Sequence, residues 1–207
     1  MELTDTHRAC LEEVLTWRRD VRHFRTDPVP DEVMGRIEAS VARAPSVGNA
    51  QPWRFVRVRS EAARRRVLAS FEACNRAAAD GYDGAARAAY AELKLAGLRE
   101  APVHLAVFTD PEPVEGRGLG RQTMPEMLTY STVMAIHTLW LTARAEGVGV
   151  GWVSILDPEA VREALDVPAG WQLTGYLCLG WPEEPSAVPE LETRGWQARR
   201  PPVWLDR

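Results

Sequence analysis

Apolar and polar positions alternate along the 207-residue chain with two different periods, which predict a mixture of strands and helices. Short apolar runs predict strands at about 55–59, 102–108, 148–155 and 172–179. Repeats of three to four residues predict helices at about 5–17, 31–43, 61–79, 84–97, 125–145 and 157–167. This interleaving indicates a single α+β domain that occupies residues 1–207.

Three segments have patterns that suggest more than a place in the core. Residues 133–143 are apolar almost all round their predicted helix, so we expect burial on several sides, partly against a second subunit. The predicted helix 84–97 is polar enough to be a mobile cover. The tail, 183–207, is rich in Pro, Glu and Arg but carries Trp196 and Trp204, so we expect it to lie across a protein surface.

Composition favours a cytoplasmic protein that binds neither nucleic acid nor a membrane. The formal net charge is −4, from 25 basic and 29 acidic residues, and gives no field that would attract nucleic acid. The sequence lacks both a secretory-type N-terminal pattern and an apolar run near the roughly 18 residues of a membrane span. Cys10, Cys74 and Cys178 are widely spaced, which is typical of reduced thiols. The four histidines lack metal-binding spacing, so no metal is expected.

The run Arg18-Arg19-Asp20-Val21-Arg22 concentrates guanidinium groups at the end of the first predicted helix. It could be a solvated last turn that complements the helix dipole, or a phosphate site. On a continuing helix Arg18 and Arg22 would share a face. Asp20 could simply neutralise the neighbouring arginines, or it could transfer a proton.

Two further segments offer backbone or polar groups to a ligand. Gly147–Ser154 reads G-x-G-x-G before or within a strand, so it does not match a dinucleotide-binding loop. It is either closely packed strand backbone or backbone laid against a flat ligand. Ala44–Trp53 is either a plain connector or a loop whose polar groups contact a ligand.

Together, and in this order, these segments resemble the nitroreductase superfamily. Within it they resemble the branch that destroys reduced FMN with dioxygen to form 5,6-dimethylbenzimidazole, the lower ligand of cobalamin. The resemblance implies a nitroreductase-like α+β fold, with a central mixed, mostly antiparallel sheet flanked by helices. It also implies a homodimer with the flavin pocket at the subunit interface and a C-terminal arm, about 183–207, that wraps the partner.

The resemblance also implies the residues of the site. It assigns flavin contacts to Arg18, Arg19, Asp20, Val21, Arg22, Ser46, Leu95, Gly151, Ser154 and Arg199, with Arg200 an equal candidate on spacing. Asp20 would be a general base or proton relay above the ribityl carbon, and Ser154 would act at the reactive edge of the ring. Residues 80–100 and 110–124 would supply a cover.

Reduced FMN would then be the substrate and dioxygen the co-substrate, with electrons supplied from NAD(P)H by a separate flavin reductase. One alternative is an FMN-dependent NAD(P)H nitroreductase or flavin reductase that recycles its FMN. Another is a flavin-binding protein without catalytic activity. Asp20 and Ser154 favour the first interpretation.

Overall fold

A sheet of four strands organises residues 2–207, the part of the chain that the computed structural model describes. The strands are β1 (Trp53–Arg57), β2 (Val103–Thr109), β3 (Gly149–Val153) and β4 (Gln172–Gly180). Their order across the sheet is β1-β2-β4-β3, and each neighbouring pair is antiparallel. A parallel bridge between Asp20 and Val150 adds a short extension beside β3. The predicted mixed, mostly antiparallel α+β sheet is confirmed.

Helices cover both faces of this sheet. They are α1 (Asp5–Trp17), α2 (Asp31–Ser40), α3 (Glu61–Ala79), α4 (Gly84–Ala91), α5 (Met127–Ala145), α6 (Pro158–Leu165) and the short α7 (Glu190–Thr193). On one face Ile136 and Leu139 of α5 pack in a cluster with Leu105 and Leu177. On the other face Val67 and Val161 pack with the remaining core residues, including Phe108 and Tyr176. Because both faces are covered, β2 reads as a continuous apolar run rather than an alternating one.

Two predicted helices differ from the structure. The helix predicted at 84–97 ends at Ala91, after which the chain runs irregularly to Leu98. Within this irregular stretch, an ideal Cβ on Gly97 would come within 2.4 Å of the Phe24 ring, so the chain makes a close contact there. The expected burial of α5 on several sides is incomplete, because Tyr130, Val133 and Met134 are 50%, 36% and 43% exposed. These three lie on one helical face.

A buried histidine makes the fold sensitive to acid. The His104 side chain is 2% exposed, and its Nδ1 lies 2.9 Å from the Tyr176 hydroxyl oxygen. Its Nε2 lies 3.2 Å from the Ala101 carbonyl oxygen. Burial, with the charge of Arg64 as a smaller cause, lowers the pKa of His104 from 6.5 to about 4. The native state therefore keeps this ring neutral at a pH where the unfolded chain already protonates it.

We expect the free energy of unfolding to fall as pH drops from 6.5 towards 4, because only the unfolded state binds the proton there. The share of His104 is roughly 3 kcal/mol over that interval. Urea unfolding of the wild type and of His104→Gln at several pH values measures it. The difference between the two curves should shrink at low pH, and parallel curves would contradict the prediction.

Candidate functional site

The arginine-rich segment leaves the helix instead of continuing it. Helix α1 ends at Trp17, and Arg18 is extended, with φ −71° and ψ 110°. The backbone then runs beside β3, where the Val21 amide donates to the Val150 carbonyl oxygen at 3.0 Å. Arg18 and Arg22 therefore do not share a helical face, which corrects that expectation.

Glycines in β3 make this approach possible. A Cβ on Gly151 would lie 2.1 Å from the Val21 carbonyl oxygen, and one on Gly149 would lie 2.8 Å from a methyl of Val21. Close packing of the chain's own backbone thus accounts for both glycines. The predicted flavin contact of Gly151 stays a prediction.

Trp140 of α5 holds the start of the arginine-rich segment. Its indole nitrogen donates to the Arg19 carbonyl oxygen at 3.3 Å, and its ring centre lies 5.0 Å from the Arg18 guanidinium carbon. Among residues 2–207, Arg18 donates no side-chain hydrogen bond and forms no ion pair. Partial burial is the main cause that lowers its pKa. This guanidinium is therefore available to a ligand.

A late arginine joins this group. The charge of Arg199 is the second cause that lowers the pKa of Arg18, and it has the same effect on Arg19. Arg19 is also tied to the tail, because its Nε donates to the Ala187 carbonyl oxygen at 2.8 Å. Arg199 and Arg200 are equal candidates for this role on spacing. Of the two, Arg199 is the one whose charge affects the pKa of Arg18 and Arg19. Arg18, Arg19 and Arg199 carry like charges, and a bound anion would reduce the repulsion among them.

The Asp20 carboxylate is fixed by two donors. Its Oδ1 accepts from the Trp152 backbone amide at 2.9 Å, and its Oδ2 accepts from Arg22 Nε at 2.8 Å. Arg22 Nη1 donates in turn to the Lys94 carbonyl oxygen at 3.2 Å, and the Arg22 side chain is only 13% exposed. Arg22 is thus occupied with Asp20 and with the segment that carries Leu95, whereas Arg18 is not.

A cavity of about 570 Å³ opens beside these residues. This volume lies in the range of about 300–1,000 Å³ typical of small-molecule sites. Its wall contains residues 17–23, Trp140, Arg144, residues 148–150, and parts of the tail between Pro182 and Arg194. The five predicted residues from Arg18 to Arg22 therefore share one cavity.

Other predicted residues lie outside its wall. Ser154 is exposed directly after β3, and Leu95 is partly buried next to Lys94. Ser46 accepts a hydrogen bond from the Gln51 amide at 2.8 Å and so fastens a loop with left-handed residues at 48, 49 and 51. That loop attaches to α5 through the Val47 amide and Ser131 Oγ, at 3.0 Å.

Ser46 therefore lies well away from the basic segment of the same chain. Ser131 and Trp140 are nine residues apart on α5, which corresponds to roughly 14 Å along the helix. A molecule bound at Arg18 would have to extend past α5 to reach Ser46 of the same chain.

Sequence reasoning missed several residues of this region. Trp140 sits in an apolar helix and reads as core, and Trp152 contributes its backbone amide, which has no sequence signature. The ring cluster of Tyr82, Tyr90 and Trp196 was also missed, because it joins segments more than 100 residues apart. Sequence spacing alone cannot reveal such contacts.

Residues 2–207 lack two features that mark other classes of protein. None of the helices there is long and apolar enough to cross a membrane. The same residues contain no group of three or more His, Cys, Asp or Glu side chains arranged to hold a metal ion.

The whole chain is similar in sequence to proteins of known name. The sequence model of the Nitroreductase family matches residues 15–181. The chain is 58% identical over 191 residues to the 5,6-dimethylbenzimidazole synthase of Rhodospirillum rubrum, covering 92% of this chain and 90% of that one. It is 52% identical to the protein of the same name from Rhodobacter capsulatus over 100% of both chains.

A solved structure gives the same architecture. The chain resembles oxidised iodotyrosine deiodinase bound to FMN and 3-iodo-L-tyrosine with a TM-score of 0.71, covering 95% of this chain and 97% of that one. The sequence identity is 23%, so this likeness concerns the fold.

Proposed function

Since this chain belongs to the nitroreductase family, we propose that it is an oxidoreductase that fragments reduced FMN with dioxygen to form 5,6-dimethylbenzimidazole, the lower ligand of cobalamin. The observation that carries the proposal is the Asp20 carboxylate, fixed by Trp152 and Arg22 beside an arginine-lined cavity. The relatives named for this activity support it over almost the whole chain.

The cavity suits the phosphate of FMN. The charge of Arg199, which lies outside the cavity wall, is one cause that lowers the pKa of Arg18 and of Arg19, so a phosphate dianion bound there would relieve this repulsion. Arg18 would make the main contact, because its guanidinium donates to no other group among the described residues. Arg22 would act on the flavin through Asp20, to which it is bound.

We propose that the flavin site is completed by a second copy of this chain. Tyr130, Val133 and Met134 are exposed on α5, and Leu11 and Leu15 are 55% and 41% exposed on α1, a helix that contacts α5. Apolar helix faces of this kind are typical of subunit interfaces.

A homodimer would also explain the position of Ser46. This residue lies away from the basic segment of its own chain, so it would reach the flavin of the partner subunit. The exposed apolar end of the tail, Val203–Leu205, would cover that subunit as well.

The fixed carboxylate determines which proton could move. FMN supplies the ring system and the ribityl chain whose bonds are broken, with erythrose 4-phosphate as the other product. The Asp20 carboxylate would take or hold the proton at the ribityl carbon, with its geometry set by the Trp152 amide. Ser154 would place its hydroxyl at the edge of the ring where dioxygen reacts.

The reaction requires exclusion of water, and we propose that two segments supply it, one beside the cavity of the same chain and one beside the Ser46 loop. The first is the region 80–100, whose Lys94 carbonyl is bound to Arg22. The second is the loop 110–124, which packs on the Ser46 loop so closely that a Cβ on Gly48 would lie 2.7 Å from the Leu119 carbonyl oxygen. A closed cover would also keep a nicotinamide off the ring, so electrons would come from NAD(P)H through a separate flavin reductase.

The alternative is a nitroreductase that recycles its FMN, and one experiment separates the two. The protein is mixed with FMN, NADPH, a flavin reductase and air, and the products are analysed by mass spectrometry. We expect 5,6-dimethylbenzimidazole and loss of FMN. Two results together would overturn the proposal in favour of the alternative. FMN would be recovered intact from this mixture, and in a second reaction without the flavin reductase the protein alone would oxidise NADPH rapidly.

A further inference from the structure

We propose that Trp196 is a positioning residue that holds Arg199 at the phosphate end of the flavin site and couples this arginine to the cover. The proposal rests on the proposed function only in taking FMN as the ligand. It concerns a contact between the tail and the region 80–100.

The indole of Trp196 lies against two tyrosine rings. Its ring centre is 5.6 Å from that of Tyr82 and 6.2 Å from that of Tyr90, with interplanar angles of 81° and 61°. The two tyrosines stack on each other at 4.9 Å. Tyr90 is 7% exposed, and its hydroxyl donates to Asn75 Oδ1 at 2.7 Å, which anchors the cluster on α3. Such edge-to-face contacts are the arrangement that aromatic pairs favour.

Trp196 is the last residue of the tail that is partly buried. After it, residues 197–207 are all exposed and contain no helix or strand. The turn that presents Trp196 is formed by Gly195, with φ +70°, and by the Trp196 amide, which donates to the Leu191 carbonyl oxygen at 2.8 Å. The position of everything beyond this turn therefore depends on how firmly Trp196 is held.

Arg199 follows three residues later, within roughly 10 Å of chain. Its charge reaches Arg18 and Arg19, and its amide donates to Glu192 Oε2 at 3.4 Å, a long hydrogen bond. Glu192 directly precedes two residues of the cavity wall, Thr193 and Arg194. This hydrogen bond and the turn at Trp196 therefore keep Arg199 near that wall, against the repulsion of Arg18 and Arg19. A bound phosphate would change that repulsion into attraction.

The same contact links the phosphate to the cover. Tyr82 precedes α4, and Tyr90 lies within it, so both belong to the region expected to close over the flavin. A phosphate that holds Arg199 would favour the docked state of Trp196 and thus an ordered α4. By linkage, an ordered α4 would strengthen phosphate binding to the same extent.

The test compares ligands with and without the phosphate. Binding of reduced FMN and reduced riboflavin is measured by calorimetry without oxygen, for the wild type, Trp196→Ala, Arg199→Ala and the double variant. Loss of a charged hydrogen bond should weaken FMN binding by roughly 10- to 100-fold in Arg199→Ala. Trp196→Ala should weaken it by about 5- to 10-fold, as expected for lost aromatic contacts. Riboflavin binding should change by less than about twofold in both variants.

Three further variants sharpen the result. In addition, the double variant already described should bind FMN no more weakly than Arg199→Ala, because Trp196 acts through that arginine. The three further variants are the following. Trp196→Phe should restore most of the affinity. Tyr82→Ala removes an opposing ring without changing the tail and should reproduce the FMN-selective loss. Arg65→Ala, on α3 with 70% of its side chain exposed, should bind both flavins as the wild type does.

Limited proteolysis provides a second readout. FMN should protect the region 80–100 from cleavage in the wild type and should protect it less in Trp196→Ala. Equal weakening of FMN and riboflavin, or additive losses in the double variant, would overturn the proposal. The binding data do not depend on product formation, so a protein that makes no 5,6-dimethylbenzimidazole would refute the proposed function and leave this result standing.

Discussion

Asp20→Asn is expected to reduce formation of 5,6-dimethylbenzimidazole by about 100- to 10,000-fold, the usual effect of removing a group that transfers a proton. Reduced FMN should still bind within a few-fold of the wild-type affinity. The reason is that the arginines proposed to bind the phosphate remain, while the carboxylate proposed to act at the ribityl carbon is lost. Product formation with saturating reduced FMN, measured together with calorimetric binding, gives the two effects separately.

The surroundings of Asp20 sharpen this expectation. Both of its oxygens accept hydrogen bonds, from the Trp152 amide and from Arg22 Nε. An asparagine of the same shape has only one acceptor oxygen, so its amide group must face one of these two donors. The variant therefore also loses one hydrogen bond and leaves the charge of Arg22 uncompensated.

A control must remove a comparable ion pair elsewhere. Glu146 accepts from Arg36 Nε and Nη2 at 2.8 and 2.7 Å, and its side chain is 24% exposed, compared with 34% for Asp20. Glu146→Gln should therefore retain wild-type product formation. If Asp20→Asn also forms product at the wild-type rate, the carboxylate does not transfer the proton.

Gly151→Ala is expected to destabilise the protein by about 3 kcal/mol, the upper end of the usual range for overpacking, because its clash is with backbone. The added methyl would lie 2.1 Å from the Val21 carbonyl oxygen, and neither strand can move without breaking main-chain hydrogen bonds. The segment that carries Asp20 should separate from β3. Urea unfolding measures the loss of stability, and product formation should fall with it.

Gly35→Ala is the matched control. Gly35 lies in the exposed part of α2 with no atom within 4 Å of an added Cβ. Alanine has the better helix propensity, so this variant should gain roughly 0.5–1 kcal/mol. A Gly151→Ala protein as stable as the wild type would show that the backbone contact at Val21 is looser than the structure indicates.

Regular elements of this fold follow from the sequence to a large extent. Predicted helices at 5–17 and 61–79 coincide with α1 and α3, because periodic apolar residues and a Ser60 cap define them locally. The helix predicted at 84–97 is too long: the chain is irregular after Ala91, and Gly97 in that stretch packs against Phe24. That contact joins residues 73 positions apart, and no local pattern encodes it.

The candidate site also has a part that the sequence predicts and a part that depends on contacts between distant residues. The composition of the segment Arg18–Arg22 suggests an anion site, and the structure gathers these residues around one cavity. The separate tasks of Arg18 and Arg22 are not visible in the sequence, because they depend on the partners Trp140 and Lys94. The contacts of Ser46 and Ser154 with a flavin remain predictions, since both lie outside that cavity.

The bridge between Asp20 and Val150 has a consequence for how enzymes on this scaffold diversify. Its hydrogen bond joins the main chains of Val21 and Val150, so one contact that holds the backbone at position 20 does not involve the side chain there. A single codon there can exchange a carboxylate for a hydroxyl without rebuilding the surrounding architecture. Descendants of one ancestral protein could thus acquire different reactions by changing position 20, while the neighbouring arginines proposed to bind the flavin phosphate stay the same.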